Sequence, residues 1–170
     1  LKHAGVEVDR VELPWQFFAL VEGQVQRRFE ALRPLFEDFA YASLTPTGRE
    51  RPALLIRAAS AIAPESQLLA QIDCLLDLDQ GPVLAYDDPR RAIGKRVRIE
   101  NGRITAIRLA GETIAQHWLQ GLWLEGRADE QLRRWLLAPL SAPPVKSMEF
   151  MKQFPAHLLI SIPDPERGKR

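Results

Sequence analysis

Lys95-Arg96-Val97-Arg98-Ile99-Glu100-Asn101-Gly102-Arg103-Ile104-Thr105-Ala106-Ile107-Arg108-Leu109 is the stretch whose reading decides the fold. Asn101-Gly102 accepts the positive φ angles of a type I′ turn, and its flanks carry the two-residue period of paired strands. Val97 and Ile99 alternate with Arg96, Arg98 and Glu100, which predicts a hairpin with one apolar and one charged face. Upstream, Val83-Leu84-Ala85-Tyr86 predicts a third short strand, joined to the hairpin by the loop Asp87-Asp88-Pro89-Arg90-Arg91.

Further upstream, strands are expected over Phe39 to Leu44 and Ala53 to Ala58, separated by the turn residues Thr45-Pro46-Thr47-Gly48-Arg49-Glu50-Arg51-Pro52. Leu68, Leu69, Ile72, Leu75 and Leu76 give a helical face that stops before Gly81-Pro82. Phe18, Val21, Val25, Phe29, Leu32 and Phe36 recur at spacings of three and four, predicting an amphipathic helix from Pro14 to Phe36. Pro34 should end or kink it near Arg33.

Downstream, Ile114, Ala115, Trp118, Leu119, Leu122 and Trp123 form a helical stripe that ends at Gly126, a plausible C′ residue. Asp129 suits the cap of a further helix carrying Leu132, Trp135 and Leu136. Leu158-Leu159-Ile160-Ser161-Ile162 suggests a short edge strand, and the basic end Arg167-Gly168-Lys169-Arg170 is expected to lack order. Runs of strands with short turns favour antiparallel pairing. The expectation is an α+β fold, a small antiparallel sheet of hairpins packed by amphipathic helices. It divides into an N-terminal segment with a helix (1–37), an α+β accessory domain (38–144) and an extended or partly disordered tail (145–170).

Composition narrows the function. The 170 residues carry 23 Lys+Arg against 22 Asp+Glu, so a formal net charge of +1 argues against a nucleic-acid binder, which needs a concentrated cationic excess. No apolar run reaches the length of a membrane span, and no secretory signal pattern opens the chain. The first residue, Leu1, is not an initiator methionine, which suits a part of a longer protein. The single cysteine, Cys74, excludes an intramolecular disulfide and a self-contained Cys-rich metal site. A lone thiol suits the cytoplasm, and Cys74 is expected to be buried and inert, because the preceding aspartate raises a thiol pKa. His3, His117 and His157 lack ligand spacing. Neither Gly-x-Gly-x-x-Gly nor a phosphate-binding Gly-Lys-[Ser/Thr] loop occurs.

Two features remain as candidate interaction sites, and no residue is assigned to catalysis, cofactor or metal. Arg90, Arg91, Lys95, Arg96 and Arg98 could form a docking face for an acidic protein partner, or simply the solvated face of the hairpin. Trp123 lies five residues from Trp118, on a neighbouring line of the same helix, so one could face the sheet and the other a partner.

A resemblance runs through several blocks in order. They are Phe39-Ala40-Tyr41-Ala42-Ser43 with Gly48-Arg49-Glu50, Leu54-Leu55-Ile56-Arg57-Ala58-Ala59, and Tyr86-Asp87-Asp88-Pro89-Arg90-Arg91. The Asn101-Gly102 hairpin, Leu109-Ala110-Gly111-Glu112-Thr113, Trp118-Leu119 and Leu136-Leu137-Ala138-Pro139 follow. Together they resemble the accessory region near the C-terminus of bacterial assimilatory nitrate reductase catalytic subunits, over roughly residues 10 to 145. Arg96 to Leu119 is also similar to a hairpin–helix module of nitrite reductases and related flavin-dependent oxidoreductases. The resemblance implies a cytoplasmic parent enzyme reducing nitrate to nitrite, with molybdopterin and an iron–sulfur cluster bound by other domains. It implies as partners the other domains or subunits of that redox enzyme. Many members continue into a Cys-rich cluster domain, whereas this chain continues Val145-Lys146-Ser147-Met148-Glu149-Phe150, without cysteines. No cofactor is therefore assigned to this chain.

Overall fold

The computed structural model describes residues 13–126 and 130–144. Six strands form one antiparallel sheet: β1 (Trp15–Glu22), β2 (Tyr41–Thr47), β3 (Ala53–Ser60), β4 (Val83–Asp88), β5 (Ile93–Glu100) and β6 (Arg103–Gly111). Their spatial order is β2-β3-β1-β6-β5-β4. Helices α1 (Val25–Leu32), α2 (Ser66–Leu75) and α3 (Gln116–Glu125) complete the α+β architecture, with short 3-10 turns at Arg33–Phe36 and Arg133–Trp135.

The Asn101-Gly102 turn forms as expected, with φ of 52° and 70°, and it fixes the register Glu100↔Arg103 and Ile99↔Ile104. A bulge between Arg98 and Ile99 then shifts the pairing by one residue. The β2–β3 hairpin, α2 and α3 form near the predicted stretches, but β2 begins two residues later than expected and runs on through Thr45-Pro46-Thr47, which pair with β3 and confine the turn to residues 48–52. Gly126 ends α3 in the left-handed conformation, φ 71°.

The N-terminal helix does not form as predicted. Trp15 to Glu22 is instead a strand, and it is the central one, paired to β3 on one side and to β6 on the other. A strand covered on both faces reads as a continuous apolar run, and Phe17-Phe18-Ala19-Leu20-Val21 is completely buried. Gly23 and Gln24 then turn the chain through positive φ angles of 78° and 48°, and only the eight residues of α1 are helical. Pro34 stands at the start of the 3-10 turn, consistent with its missing N–H. Residues 15–37 are thus part of the same sheet and cores as the rest, not a separate N-terminal segment.

Two cores follow from strand alternation. Phe18, Leu20, Val97, Ile107 and Leu109 face α3, where Trp118, Leu119, Leu122 and Trp123 meet them, with Leu132 and Leu136 behind. Phe17, Ala19, Val21, Ile56, Ala106 and Ala110 face the other way, against Leu32, Phe36, Ile72 and Leu76. At one end of this second core Trp15, Phe17, Phe36 and Phe39 form an aromatic chain with ring centroids 5.0–6.1 Å apart. The Asp129 cap, the Leu158–Ile162 strand and the tail from 145 onward lie outside the described residues.

Gly111 shows how tightly β6 meets the turn before β5. Its φ is +86°, and a Cβ there would lie 2.3 Å from the Ala92 carbonyl oxygen. Gly111→Ala is expected to cost about 2–3 kcal/mol in urea unfolding, because backbone on both sides must move. Gly102→Ala, with a similar φ but open space around it, should cost only about 1 kcal/mol.

Candidate functional site

The basic residues of the hairpin do not form one solvated face. Parity along β5 sends Lys95 to the α3 side with Val97, and Arg96 and Arg98 to the α2 side. Lys95 is 1% exposed and its Nζ donates to Glu112 Oε2 at 2.9 Å. Glu112 Oε1 accepts from the backbone N–H of Ile114 at 3.1 Å, so the pair fastens the turn between β6 and α3 to the sheet. Arg90 and Arg91 are exposed in the β4–β5 turn, where the Arg91 backbone N–H donates to Asp88 Oδ1.

Arg96 and Arg98 bind their own fold. Arg96 holds Asp87 in a fork, with Nη1 and Nη2 donating at 2.9 and 2.8 Å. Its Nε also lies 3.9 Å from Asp73 Oδ2. Arg98 donates from Nη1 to the carbonyls of Asp77 and Gln80 at 2.6 and 2.8 Å, and from Nε to Glu100 at 3.1 Å. The same loop is gripped from α1, where Arg28 donates to the Leu75 carbonyl at 2.6 Å and to Asp77 at 2.9 Å. Two guanidiniums, Arg98 from β5 and Arg28 from α1, thereby hold the end of α2 and the loop after it.

Asp73 and Arg108 form the buried centre of this network. Asp73 sits on the inward side of α2 and Arg108 on the same sheet face as Ala106 and Ala110; both are buried. Arg108 donates from Nε to Asp73 Oδ1 at 2.8 Å and from Nη2 to Asp73 Oδ2, a bidentate pair. Arg108 Nη1 is buried without a hydrogen-bond partner.

At the far end of β1 a second hub forms on the α3 side. Glu22 Oε1 accepts from Trp123 Nε1 at 2.7 Å, from Arg51 at 3.0 Å and from Arg103 at 3.1 Å. Arg51 lies 5.1 Å over the Trp123 ring and donates from Nη2 to the Trp123 carbonyl. Trp123 is 1% exposed and belongs to the core. The expectation that it could face a partner is corrected: the wide stripe of α3 lies across the sheet and buries Trp118 and Trp123 together. Trp135 is the more exposed tryptophan, at 37%.

A cleft of about 520 Å³ opens between the start of α2, the β4–β5 turn and the Arg108 side of the sheet. Trp15, Pro64, Leu69 and Ala70 give it apolar walls, and Asp73, Asp87, Arg96 and Arg108 line it with charge. Two positive and two negative groups leave it electrically balanced. Sequence reasoning missed this site because its residues come from five separated elements, β1, α2, β4, β5 and β6.

Cys74 is exposed rather than buried, since the α2 face turned to the sheet is set by Ile72, Asp73 and Leu76. Its thiol pKa is raised, chiefly by the negative charge of Asp79 and further by a hydrogen bond to Asp79 and by Asp77. A raised pKa leaves less thiolate at a given pH, so an aromatic disulfide reagent should react with Cys74 more slowly than with free cysteine at pH 8. Asp79→Asn should speed that reaction; an unchanged rate would remove the electrostatic explanation. His117 is exposed on α3. Among the described residues no cluster of three or more His, Cys, Asp and Glu could hold a metal ion, and no helix is long and apolar enough to cross a membrane. Comparison with protein-family models, with curated proteins and with solved structures finds no match.

Proposed function

We propose that this chain is a non-catalytic accessory domain of the assimilatory nitrate reductase type, packing against and positioning the redox domains of a cytoplasmic molybdopterin enzyme that reduces nitrate to nitrite. The blocks that carry the resemblance fall on β2, β3, β4, β6 and α3, with Asn101-Gly102 joining β5 to β6. They therefore run through the folded body rather than a single loop. The supporting observation is the inward use of the basic side chains. Lys95, Arg96, Arg98 and Arg108 each pair with a carboxylate of this same chain. Two of these pairs, Lys95–Glu112 and Arg108–Asp73, have their basic partner buried, and in this reading they hold the sheet, α2 and the turn before α3 in one fixed geometry, which is what a positioning domain requires. The same pairing weakens the reading of the hairpin as a dock for an acidic partner, which keeps only Arg90 and Arg91 fully exposed.

The test is a titration of the full chain into a bacterial assimilatory nitrate reductase catalytic body that lacks its own copy of this region. Saturable binding at micromolar concentrations is expected, with no nitrate reduction by the chain alone when a reduced viologen supplies electrons. Folded chain that fails to bind, or that turns over nitrate by itself, would overturn the proposal. So would binding abolished by charge reversal at Arg90 and Arg91 alone, which would favour the acidic-partner dock.

A further inference from the structure

We infer that the outer edge of β4 is a docking site for Leu158-Leu159-Ile160-Ser161-Ile162 of the same chain, which adds there as a further strand of the sheet. The register shows which backbone groups this edge offers. The Ile99 N–H donates at 3.1 Å to the carbonyl of Pro82, which continues the pairing Val83↔Arg98 by one step. Hydrogen-bonded pairs alternate along an antiparallel ladder, so Leu84, Tyr86 and Asp88 turn their backbone groups toward β5. Val83, Ala85 and Asp87 turn theirs outward. The Val83 N–H folds back onto the Gly81 carbonyl at 2.8 Å, whereas those of Ala85 and Asp87 have no partner among the described residues. Ala85, Tyr86 and Asp87 are exposed, and Val83 to Tyr86 contains neither proline nor charge to guard the edge.

The opposite edge of the sheet, β2, is guarded. The Gly23 N–H donates to the Pro52 carbonyl, which by the same alternation turns Leu55, Arg57 and Ala59 toward β2. Their partners Thr45, Ser43 and Tyr41 face β3, so Ala42, Leu44 and Pro46 face outward. The Pro46 ring stands where an incoming strand needs an N–H. Leu44 packs on the second core, so parity gives the α3 side of β2 the hydroxyl row Ser43 and Thr45. On β4 the same side carries Leu84, packed on the first core, and Tyr86, 44% exposed.

The segment matches that side. In a strand Leu158, Ile160 and Ile162 share one face and would prolong the apolar row of Leu84 and Tyr86, and Pro163 stops the pairing. The described chain also ends on the correct flank. A Cβ on Gly48 would lie 3.1 Å from Trp123 Cη2, so Trp123 leans toward the β2–β3 turn. Trp118 stands about 140° round the helix from it and leans the other way, toward β5 and β4. Its Nε1 donates to the Leu140 carbonyl at 2.7 Å, which holds the end of the described chain on that side. Residues 145–157 can then span up to about 45 Å, ample for strands spaced about 4.8 Å apart.

Hydrogen exchange of the full ¹⁵N-labelled chain, followed by NMR, tests the pairing. Ala85 and Asp87 are expected to exchange about tenfold or more slowly than the outward amides Ala42 and Leu44, after correction for intrinsic rates. Ile160→Pro should abolish that protection and leave the β5–β6 amides unchanged. Should the variant fail to fold, cross-strand NOEs between Ala85 and residues 158–162 in the unaltered chain decide. Fast exchange at Ala85, or NOEs that place residues 158–162 against β2, would overturn the inference. So would protection that persists in folded Ile160→Pro; if it also rose with protein concentration, a second copy of the chain would be the occupant.

Discussion

Replacing Asp73 by Ala is expected to destabilise the protein by about 3–5 kcal/mol, the cost of leaving a buried charge without its partner. Arg108 is 2% exposed, and Asp73 takes its two-point hydrogen bonding from the other side of the second core. Without that carboxylate the guanidinium loses its ion pair, and the nearby Asp87 is already forked to Arg96. Both groups are buried, so solvation can replace little of what is lost. Chemical unfolding monitored by tryptophan fluorescence measures the effect, with Asp79→Ala, on an exposed loop, as the control expected to change little. A loss below about 1 kcal/mol for Asp73→Ala would mean that Arg108 finds water or another partner without cost.

Trp123→Ala is expected to have an effect of similar size from a different cause. The side chain is completely enclosed between α3 and the sheet, and large-to-small changes of an aromatic residue in a core cost about 3–5 kcal/mol. Its indole N–H also answers Glu22, whose remaining partners Arg51 and Arg103 are partly exposed. For a domain of this size the melting temperature should fall by roughly 6–20 °C. Trp123→Phe separates the two causes. It keeps most of the apolar area but not the hydrogen bond, and should lose only about 1–2 kcal/mol.

Much of the sheet was legible from local chemistry. Asn101-Gly102 declares its turn type and the alternation on either side gives β5 and β6, while turn residues and short apolar runs mark β2, β3 and β4, leaving only β1 unread. The failure at β1 has a specific cause. Phe18, Val21, Val25 and Phe29 fall on helical spacing by coincidence, because every position from Phe17 to Val21 is apolar. A strand buried on both faces carries no period. Its signal is length and punctuation: about eight residues between Pro14 and Gly23, too short for a buried helix of ordinary length.

The charged site was legible only in part. Grouping Lys95, Arg96 and Arg98 as a run of charge overlooked the parity that sends neighbours to opposite faces. Ile93, Lys95 and Val97 share a side, which placed a lysine among core positions and called for a buried partner. Arg108 stands between Ala106 and Ala110 on the other face, and Asp73 lies four residues after Leu69 and three before Leu76. Each is a charge on an apolar line. That signal marks two residues needing partners. Their pairing was not in the sequence, because it depends on which face of the sheet α2 covers.

The most direct test of this account is a double-mutant cycle at Asp73 and Arg108. The central claim is that the basic side chains of the β5–β6 hairpin are spent inside the molecule, fastening α2 to the sheet. Asp73→Ala, Arg108→Met and the double variant would be unfolded by urea under identical conditions. The account predicts a coupling of about 2–3 kcal/mol or more, with the double variant more stable than Asp73→Ala alone, since it removes the stranded charge and leaves an apolar side chain in its place. Losses that simply add, with the double variant the least stable of the three, would contradict it and return Arg108 to solvent.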